Sequence, residues 1–66
     1  MSVAKIIELS ATSEESYEDA IRQAIVKASE TLHGIQSAWV KEMKVEVADG
    51  MVSRFVVHLD VTFVLD

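Results

Sequence analysis

The segment from Ser53 to Leu65 has apolar side chains on both faces of the β-strand that its alternating pattern predicts. After Ser53 its odd positions are uniformly apolar: Phe55, Val57, Leu59, Val61, Phe63 and Leu65. Its even positions are mixed: Arg54, Val56, His58, Asp60, Thr62 and Val64. One fully apolar face and one half-apolar face are typical of a sheet that a helix covers on one side. The second face then needs a partner, so we expect an oligomer.

Chain length leads to the same expectation. The 66 residues predict a single domain over 1–66, and a domain this small buries only about 60% of its unfolded surface. Domains below roughly 70–80 residues usually gain stability from disulfides, a metal or oligomerisation. The chain contains no Cys, which excludes disulfides and thiolate zinc sites. His33 and His58 lie far apart without a cluster of ligands, which leaves oligomerisation.

Composition excludes several classes of function. The net charge is -5 and the six Lys and Arg residues are scattered, which argues against a nucleic-acid binder. No apolar run reaches the ~20 residues of a membrane span, and the N-terminus lacks a signal-peptide pattern. We therefore expect a cytoplasmic protein that contacts no membrane. The chain has no Cys nucleophile, Gly-rich phosphate loop or recognisable Ser-His pairing, so we expect that it is not an enzyme.

The first half of the chain predicts a strand followed by a helix. The strand covers Val3 to Leu9, and the polar break Ser10–Ser16 offers Thr12 and Ser13 as helix N-caps. The helix is predicted from about Glu14 to Leu32. Its apolar stripe has helical spacing and contains Tyr17, Ala20, Ile21, Ala24, Ile25, Ala28 and Leu32.

The second half predicts a β-hairpin. Gly34 is expected to follow the helix with a positive φ, and the second strand covers roughly Gln36 to Val47. Asp49-Gly50 then predicts a two-residue type I′ turn, which pairs Ala48 with Met51. Continued along both strands, this register defines an outer face, away from the helix: Ser37, Trp39, Lys41, Met43, Val45, Val47, Val52, Val56, His58, Asp60, Thr62 and Val64.

These elements predict an α+β fold of order β-α-β-β. Three strands form an antiparallel sheet partly wrapped around one helix. The first strand lies beside the third, so the long third strand occupies the middle of the sheet.

Four segments, in their order and spacing, carry a resemblance to a known family. They are the opening Val3–Leu9, the break Thr12–Ser16, the helix end Thr31-Leu32 and the closing Val61–Leu65. Together they resemble the dodecin family over essentially the whole chain. The resemblance implies a hollow shell of twelve copies that binds flavin, either FMN or riboflavin, in pairs at two-fold axes. It also implies a Trp from each subunit that stacks on the isoalloxazine rings.

The family's ligand residues are substituted in this chain. Alignment through Val40-Lys41-Glu42 places Ser37 at the stacking Trp, Val56 at a flavin-binding Gln and Val64 at an Arg that some members carry. Trp39 lies two residues from the usual position on the same strand face, about 6.6 Å further along. The candidate cofactor-binding residues are therefore Trp39, Ser37, Val56 and Lys44.

Trp39 has two interpretations, an anchor at a subunit interface or a platform for a bound aromatic ring. His58 and Asp60 are expected to be an ordinary polar pair, because a metal site there would need ligands from other copies. Two functions follow. The first is storage or sequestration of flavin in an oligomeric shell. The second is a shell without flavin, structural or binding Ca²⁺ through acidic residues such as Asp60 or Glu46.

Overall fold

A computed structural model describes residues 3–65 of the chain and confirms the predicted α+β fold. Its elements are β1 (Val3–Ser13), α1 (Tyr17–Ser29), β2 (Ile35–Ala48) and β3 (Met51–Leu65). The strands form one antiparallel sheet in the order β1-β3-β2. The third strand therefore lies in the middle, as predicted.

The core lies between α1 and the central part of the sheet. The alternation of β3 directs Val57, Leu59 and Val61 towards the helix, and all three side chains are fully buried. The helix contributes Ala20 and Ala24 to the same cluster. Because alanine has only a methyl side chain, the helix backbone approaches the sheet closely, and the larger apolar residues of both elements pack around this contact.

The start of the helix differs from the prediction. The first strand continues to Ser13, and Thr12 pairs with Val56 in the sheet instead of capping the helix. The buried Ser13 hydroxyl accepts the Glu15 amide at 2.9 Å and donates to the Asp19 carboxylate at 2.6 Å. Ser16 is the N-cap, and its hydroxyl accepts the Asp19 amide at 3.0 Å. Sheet pairing with β3 outweighs the local capping signal of Thr12 and Ser13, so α1 begins three residues later than Glu14.

The helix also ends earlier than predicted, at Ser29 instead of Leu32. The amides of Thr31 and Leu32 still donate to the Ala28 carbonyl, at 3.2 and 2.9 Å. Gly34 has the expected positive φ of 75°, and its carbonyl accepts the Val64 amide at 3.0 Å. The chain must reverse here to place β2 beside β3, which shortens the last turn of the helix.

The hairpin turn is confirmed, but the strand register contains a bulge. Asp49 and Gly50 have φ values of 53° and 73°, and Ala48 pairs with Met51. The predicted register also holds from Ser37 to Val40. Between Val40 and Glu42 the ladder shifts, because Lys41 is an additional residue in β2. The shift persists to Glu46 and a second irregularity next to Val47 follows it.

The bulge corrects the outer-face predictions for four residues. Two of them are Val47 and Val52, because Val47 follows Glu46, which lies on the outer face, and pairs with Val52. Met43 pairs with Val57 and Val45 pairs with Phe55, so both lie on the side of the helix and not on the outer face. An additional residue reverses which face each subsequent side chain occupies. For the same reason the bulge places Lys44, opposite Val56, on the outer face.

The molecule is longer than a compact domain of this size. Its radius of gyration is 13.6 Å, compared with about 11 Å for a compact chain of equal length. The helix has 13 residues and spans about 20 Å, whereas the longest dimension of the molecule is 51 Å. The difference comes from the distal part of the hairpin, residues 46–54, which continues beyond the end of β1 and which we call the arm.

We predict that Gly50→Val destabilises the protein through backbone strain alone. No atom lies within 4 Å of the position of a new Cβ, but φ is 73°. A β-branched residue in this conformation should lower the free energy of unfolding by about 1–3 kcal/mol. Urea unfolding at matched protein concentration measures the change. Asp49→Asn is the control and should be neutral, because Asn tolerates the left-handed region. Equal stability of Gly50→Val and the parent would contradict the type I′ turn.

Candidate functional site

The outer face of the sheet, on the side away from α1, presents an exposed indole. Trp39 lies on β2 opposite Asp60 of β3, and its side chain is 67% exposed. Ser37 is its neighbour on the same face and pairs with Thr62. The regular ladder from Ser37 to Val40 holds the Trp39 backbone in place, so the indole projects from a rigid strand.

The four predicted cofactor-binding residues share this face. Trp39 and Ser37 lie in the regular part of the ladder, and the bulge adds Lys44 opposite Val56. Lys44 pairs with Val56, and Trp39 pairs with Asp60. Val56 and Asp60 are four residues apart on β3, so the backbones of Lys44 and Trp39 lie about 13 Å apart. Val56 lies between Thr12 and Lys44 and is only 5% exposed. Its aliphatic side chain can therefore make only apolar contacts with a ligand and no hydrogen bond.

The remaining aromatic side chains are directed towards the core. Tyr17 of α1 meets Phe55 edge to face, with ring centroids 5.1 Å apart and planes at 75°. Phe63 is buried. Within residues 3–65, Trp39 is thus the aromatic side chain available to a planar ligand, which confirms the prediction that the others are helix-facing.

A three-strand charge cluster adjoins Trp39. The Nζ atom of Lys41 lies 3.3 Å from Glu8 Oε2 and 3.8 Å from Asp60 Oδ2. Glu8 and Asp60 are direct cross-strand partners, so the single charge of Lys41 offsets part of the repulsion between two carboxylates that face each other. The hydrogen bond to Glu8, followed by the charge of Asp60, raises the pKa of Lys41 above its usual value.

Sequence reasoning missed this cluster. Its partial signal was the predicted neighbourhood of β1 and β3, and the observed register places Glu8 opposite Asp60 on the outer face. Two like charges directly opposite each other destabilise a sheet unless a cation lies between them. The predicted hairpin register already places Lys41 on the outer face, but the approach of its ammonium group to both carboxylates is decided by the tertiary structure.

His58 is partly buried and has Glu42 and Ser10 as its cross-strand partners. Glu46, a candidate calcium ligand, lies 3.7 Å from Arg54. Over residues 3–65 no three His, Cys, Asp or Glu side chains lie close enough together to hold a metal ion. A metal on this face would therefore need ligands from more than one copy. The described part of the chain also has no helix that is long and apolar enough to span a membrane.

The chain matches the Dodecin family over residues 3–66. Several solved structures are also similar. An arginine-to-alanine variant of the Thermus thermophilus dodecin is 36% identical, with a TM-score of 0.94 over 100% of this chain and 98% of that chain. The dodecin from Streptomyces davaonensis is 32% identical, with a TM-score of 0.93 over 98% and 96% of the two chains. No curated protein sequence matches significantly.

One further structure is described as the calcium chelating immunodominant antigen of Mycobacterium tuberculosis, calcium dodecin, with a novel calcium-binding site. It is 29% identical to this chain. The TM-score is 0.84, and the match covers 97% of this chain and 91% of that one.

We predict that Lys41→Met destabilises the protein at neutral pH. The substitution keeps the apolar stem and leaves the carboxylates of Glu8 and Asp60 opposed, so the melting temperature at pH 7 should fall. The loss should vanish in Lys41→Met/Asp60→Asn, in which no two carboxylates oppose each other. In the parent, the raised pKa of Lys41 means that its stabilising charge persists through neutral pH and is lost only in strong alkali.

Lys27→Met is the matched control for this experiment. Lys27 lies 3.7 Å from Glu30 on an exposed face of the helix, and its removal leaves no opposed carboxylates. Its melting temperature at pH 7 should equal that of the parent. An equal loss in Lys41→Met and in Lys41→Met/Asp60→Asn would show that only the packing of the Lys41 stem stabilises the sheet.

Proposed function

This chain belongs to the dodecin family, and we propose that it assembles into a homododecameric shell that binds flavin at Trp39. At the level of the family, dodecins are small dodecameric flavin-binding proteins. The shell would store or sequester the ligand without chemical change to it.

The observation that carries this proposal is the exposure of Trp39. An indole that is 67% exposed leaves a large apolar surface in water, and the ladder holds it at a fixed position on the strand. Two copies related by a two-fold axis would present the same surface to each other. A planar ring between the two indoles gains stacking on both faces.

The neighbours of Trp39 suit a ligand in a pose shifted along the strand. Ser37, where the family carries its stacking Trp, leaves room for a ring centred on Trp39. Val56, at the position of the family's flavin-binding Gln, can make an apolar contact with the ligand but no hydrogen bond. Lys44 lies in no ion pair with any of the described residues, so its charge is available to the phosphate of FMN.

A second function, calcium binding without flavin, has support from one relative. The calcium dodecin of Mycobacterium tuberculosis is 29% identical to this chain. Here Glu8 and Asp60 supply carboxylates on the outer face, but the Lys41 ammonium group already occupies the space beside them. Calcium would have to displace that ammonium group or use acidic residues contributed by several copies. Flavin binding at Trp39 needs no such displacement, and we favour it.

We predict that riboflavin or FMN loses its fluorescence on binding and that Trp39→Ala reduces the affinity. Indole next to photoexcited flavin quenches it by electron transfer. Removal of the indole should reduce the free energy of flavin binding by roughly 1–3 kcal/mol per ring, by analogy with base–aromatic stacking. This corresponds to an increase in Kd of about 5- to 150-fold. Because Trp39 is the single Trp of the chain, its own emission reports the same event.

Val26→Ala is the matched control, since Val26 is exposed on the helix and equally apolar. It should bind flavin with unchanged affinity. Unchanged quenching in Trp39→Ala would remove the platform role. Absence of binding by the parent at tens of micromolar would exclude flavin, and a calcium titration by isothermal calorimetry would then test the second function.

We predict one large assembly in solution. Sedimentation velocity at micromolar concentration should show a single species of about twelve chain masses, because the chain exposes apolar surface that a monomer of its size cannot bury. Dilution should produce unfolded chains and assembly together, without a folded monomer. A dominant folded monomer would contradict the proposed shell.

A further inference from the structure

The ion pair of Lys41 and Asp60 lies directly beside the exposed indole. Trp39 and Asp60 are cross-strand partners, so their side chains project from the same face of the sheet at adjacent positions. The Oδ2 atom of Asp60 lies 3.8 Å from the Nζ atom of Lys41. An ammonium group and a carboxylate therefore lie next to the surface on which a planar ring would stack.

Both members of this pair keep unused hydrogen-bonding capacity. The Nζ atom of Lys41 donates a hydrogen bond to Glu8 Oε2 at 3.3 Å, and an ammonium group has three donors. Its distance from Asp60 is too long for a hydrogen bond. Within residues 3–65 no side chain donates a hydrogen bond to the Asp60 carboxylate. Solvent reaches both side chains, which are 38% exposed in Lys41 and 21% exposed in Asp60.

Lys41 is a donor throughout the neutral pH range. Its hydrogen bond to Glu8, followed by the charge of Asp60, raises the pKa of its ammonium group. The contact with Glu8 also ties the ammonium group to β1, while Asp60 lies on the central strand. The donor and the acceptor are thus held in place before a ligand arrives, which reduces the entropy lost on binding.

The edge of a flavin ring is complementary to such a pair. The ring system ends in a cyclic imide, in which the N3–H donor lies between two carbonyl acceptors. Stacking alone discriminates poorly, because every planar aromatic ring has a π-face, and a few polar groups fix the orientation of a ligand. Val56, at the position of the family's flavin-binding Gln, cannot supply such a group. Recognition of the ring edge therefore requires other side chains near Trp39.

We infer that Asp60 and Lys41 bind the imide edge of a ring stacked on Trp39. The Asp60 carboxylate accepts a hydrogen bond from N3–H, and the Lys41 ammonium group donates one to a neighbouring carbonyl oxygen. The inference rests on the proposed flavin site and names the residues that determine its specificity. Both hydrogen bonds are charge-assisted, which makes them stronger than neutral ones. The ligand class is then planar aromatic rings that carry an imide, and not planar aromatic rings in general.

Lumiflavin and 3-methyllumiflavin test the contact with Asp60. Neither compound has a ribityl chain or a phosphate, so Lys44 does not contribute to the comparison. The methyl group of the second compound replaces the N3 proton. Quenching of flavin fluorescence and of Trp39 emission gives the Kd of each compound. The parent should bind 3-methyllumiflavin about 10- to 100-fold more weakly than lumiflavin, because the hydrogen bond to a charged acceptor is lost.

Asp60→Ala is the corresponding change in the protein. It removes the acceptor and also the repulsion from Glu8, so the variant should fold, which circular dichroism establishes. Its affinity for lumiflavin should be about 10- to 100-fold lower than that of the parent. It should no longer discriminate between the two compounds. Glu14→Ala is the matched control, because it removes an exposed carboxylate between β1 and α1. It should keep both the affinity and the discrimination of the parent.

The double variant Lys41→Met/Glu8→Gln tests the donor without leaving two opposed carboxylates. Glu8→Gln alone is its reference. The double variant should bind lumiflavin about 10- to 100-fold more weakly than this reference, because the carbonyl loses a charged donor. Equal affinity of the two variants would remove Lys41 from the site.

Three results would overturn the role of Asp60. They are equal affinity of the parent for the two compounds, discrimination that persists in Asp60→Ala, and unchanged affinity of Asp60→Ala for lumiflavin. In each of them lumiflavin still binds, so the proposed flavin site at Trp39 remains. Absence of lumiflavin binding by the parent would instead remove the flavin site itself, so the two failures are distinguishable.

Discussion

The pairing of β3 with both neighbouring strands is the constraint on which the rest of the structure depends. It places Val57, Leu59 and Val61 beneath the helix, where they are fully buried, and the alanine stripe of α1 lets the backbone approach them. The same pairing fixes the outer face, because successive side chains of a strand alternate between faces. Trp39 then projects opposite Asp60 on the side that no element of this chain covers. The alternation of side chains along β3 therefore determines both which residues form the core and which face carries the candidate ligand site.

A single additional residue in β2 determines the character of both faces. The bulge at Lys41 turns Met43 and Val45 towards the helix side and Lys44 towards the outer face. On the outer face, the Lys41 ammonium group lies within reach of Glu8 and Asp60, which would otherwise oppose each other across β1 and β3. Bulges often redirect side chains next to functional sites. Here the bulge separates the apolar side of the arm from the charged side that adjoins Trp39.

Assembly and function are linked through surfaces that one chain leaves uncovered. Trp39 on the outer face and the large apolar side chains at the end of the hairpin, Val47, Met51 and Val52, are exposed in the single chain. A chain of 66 residues has too small a core to offset the unfavourable free energy of exposing these side chains to water. Contact between copies would remove this cost, and a pair of Trp39 side chains at a symmetry axis would form a binding site that no single copy contains.

The sequence by itself determined the element order, the central place of β3, the turn at Asp49-Gly50 and the exposed position of Trp39, because these follow from local alternation and from residues with restricted φ. The start of α1 at Tyr17, the bulge at Lys41 and the cluster of Glu8, Lys41 and Asp60 were decided only by the tertiary structure. Each of these depends on a competition between a local preference and pairing with a distant strand. Thr12 has the spacing of a helix cap, yet it pairs with Val56 because extension of the sheet satisfies more backbone hydrogen bonds.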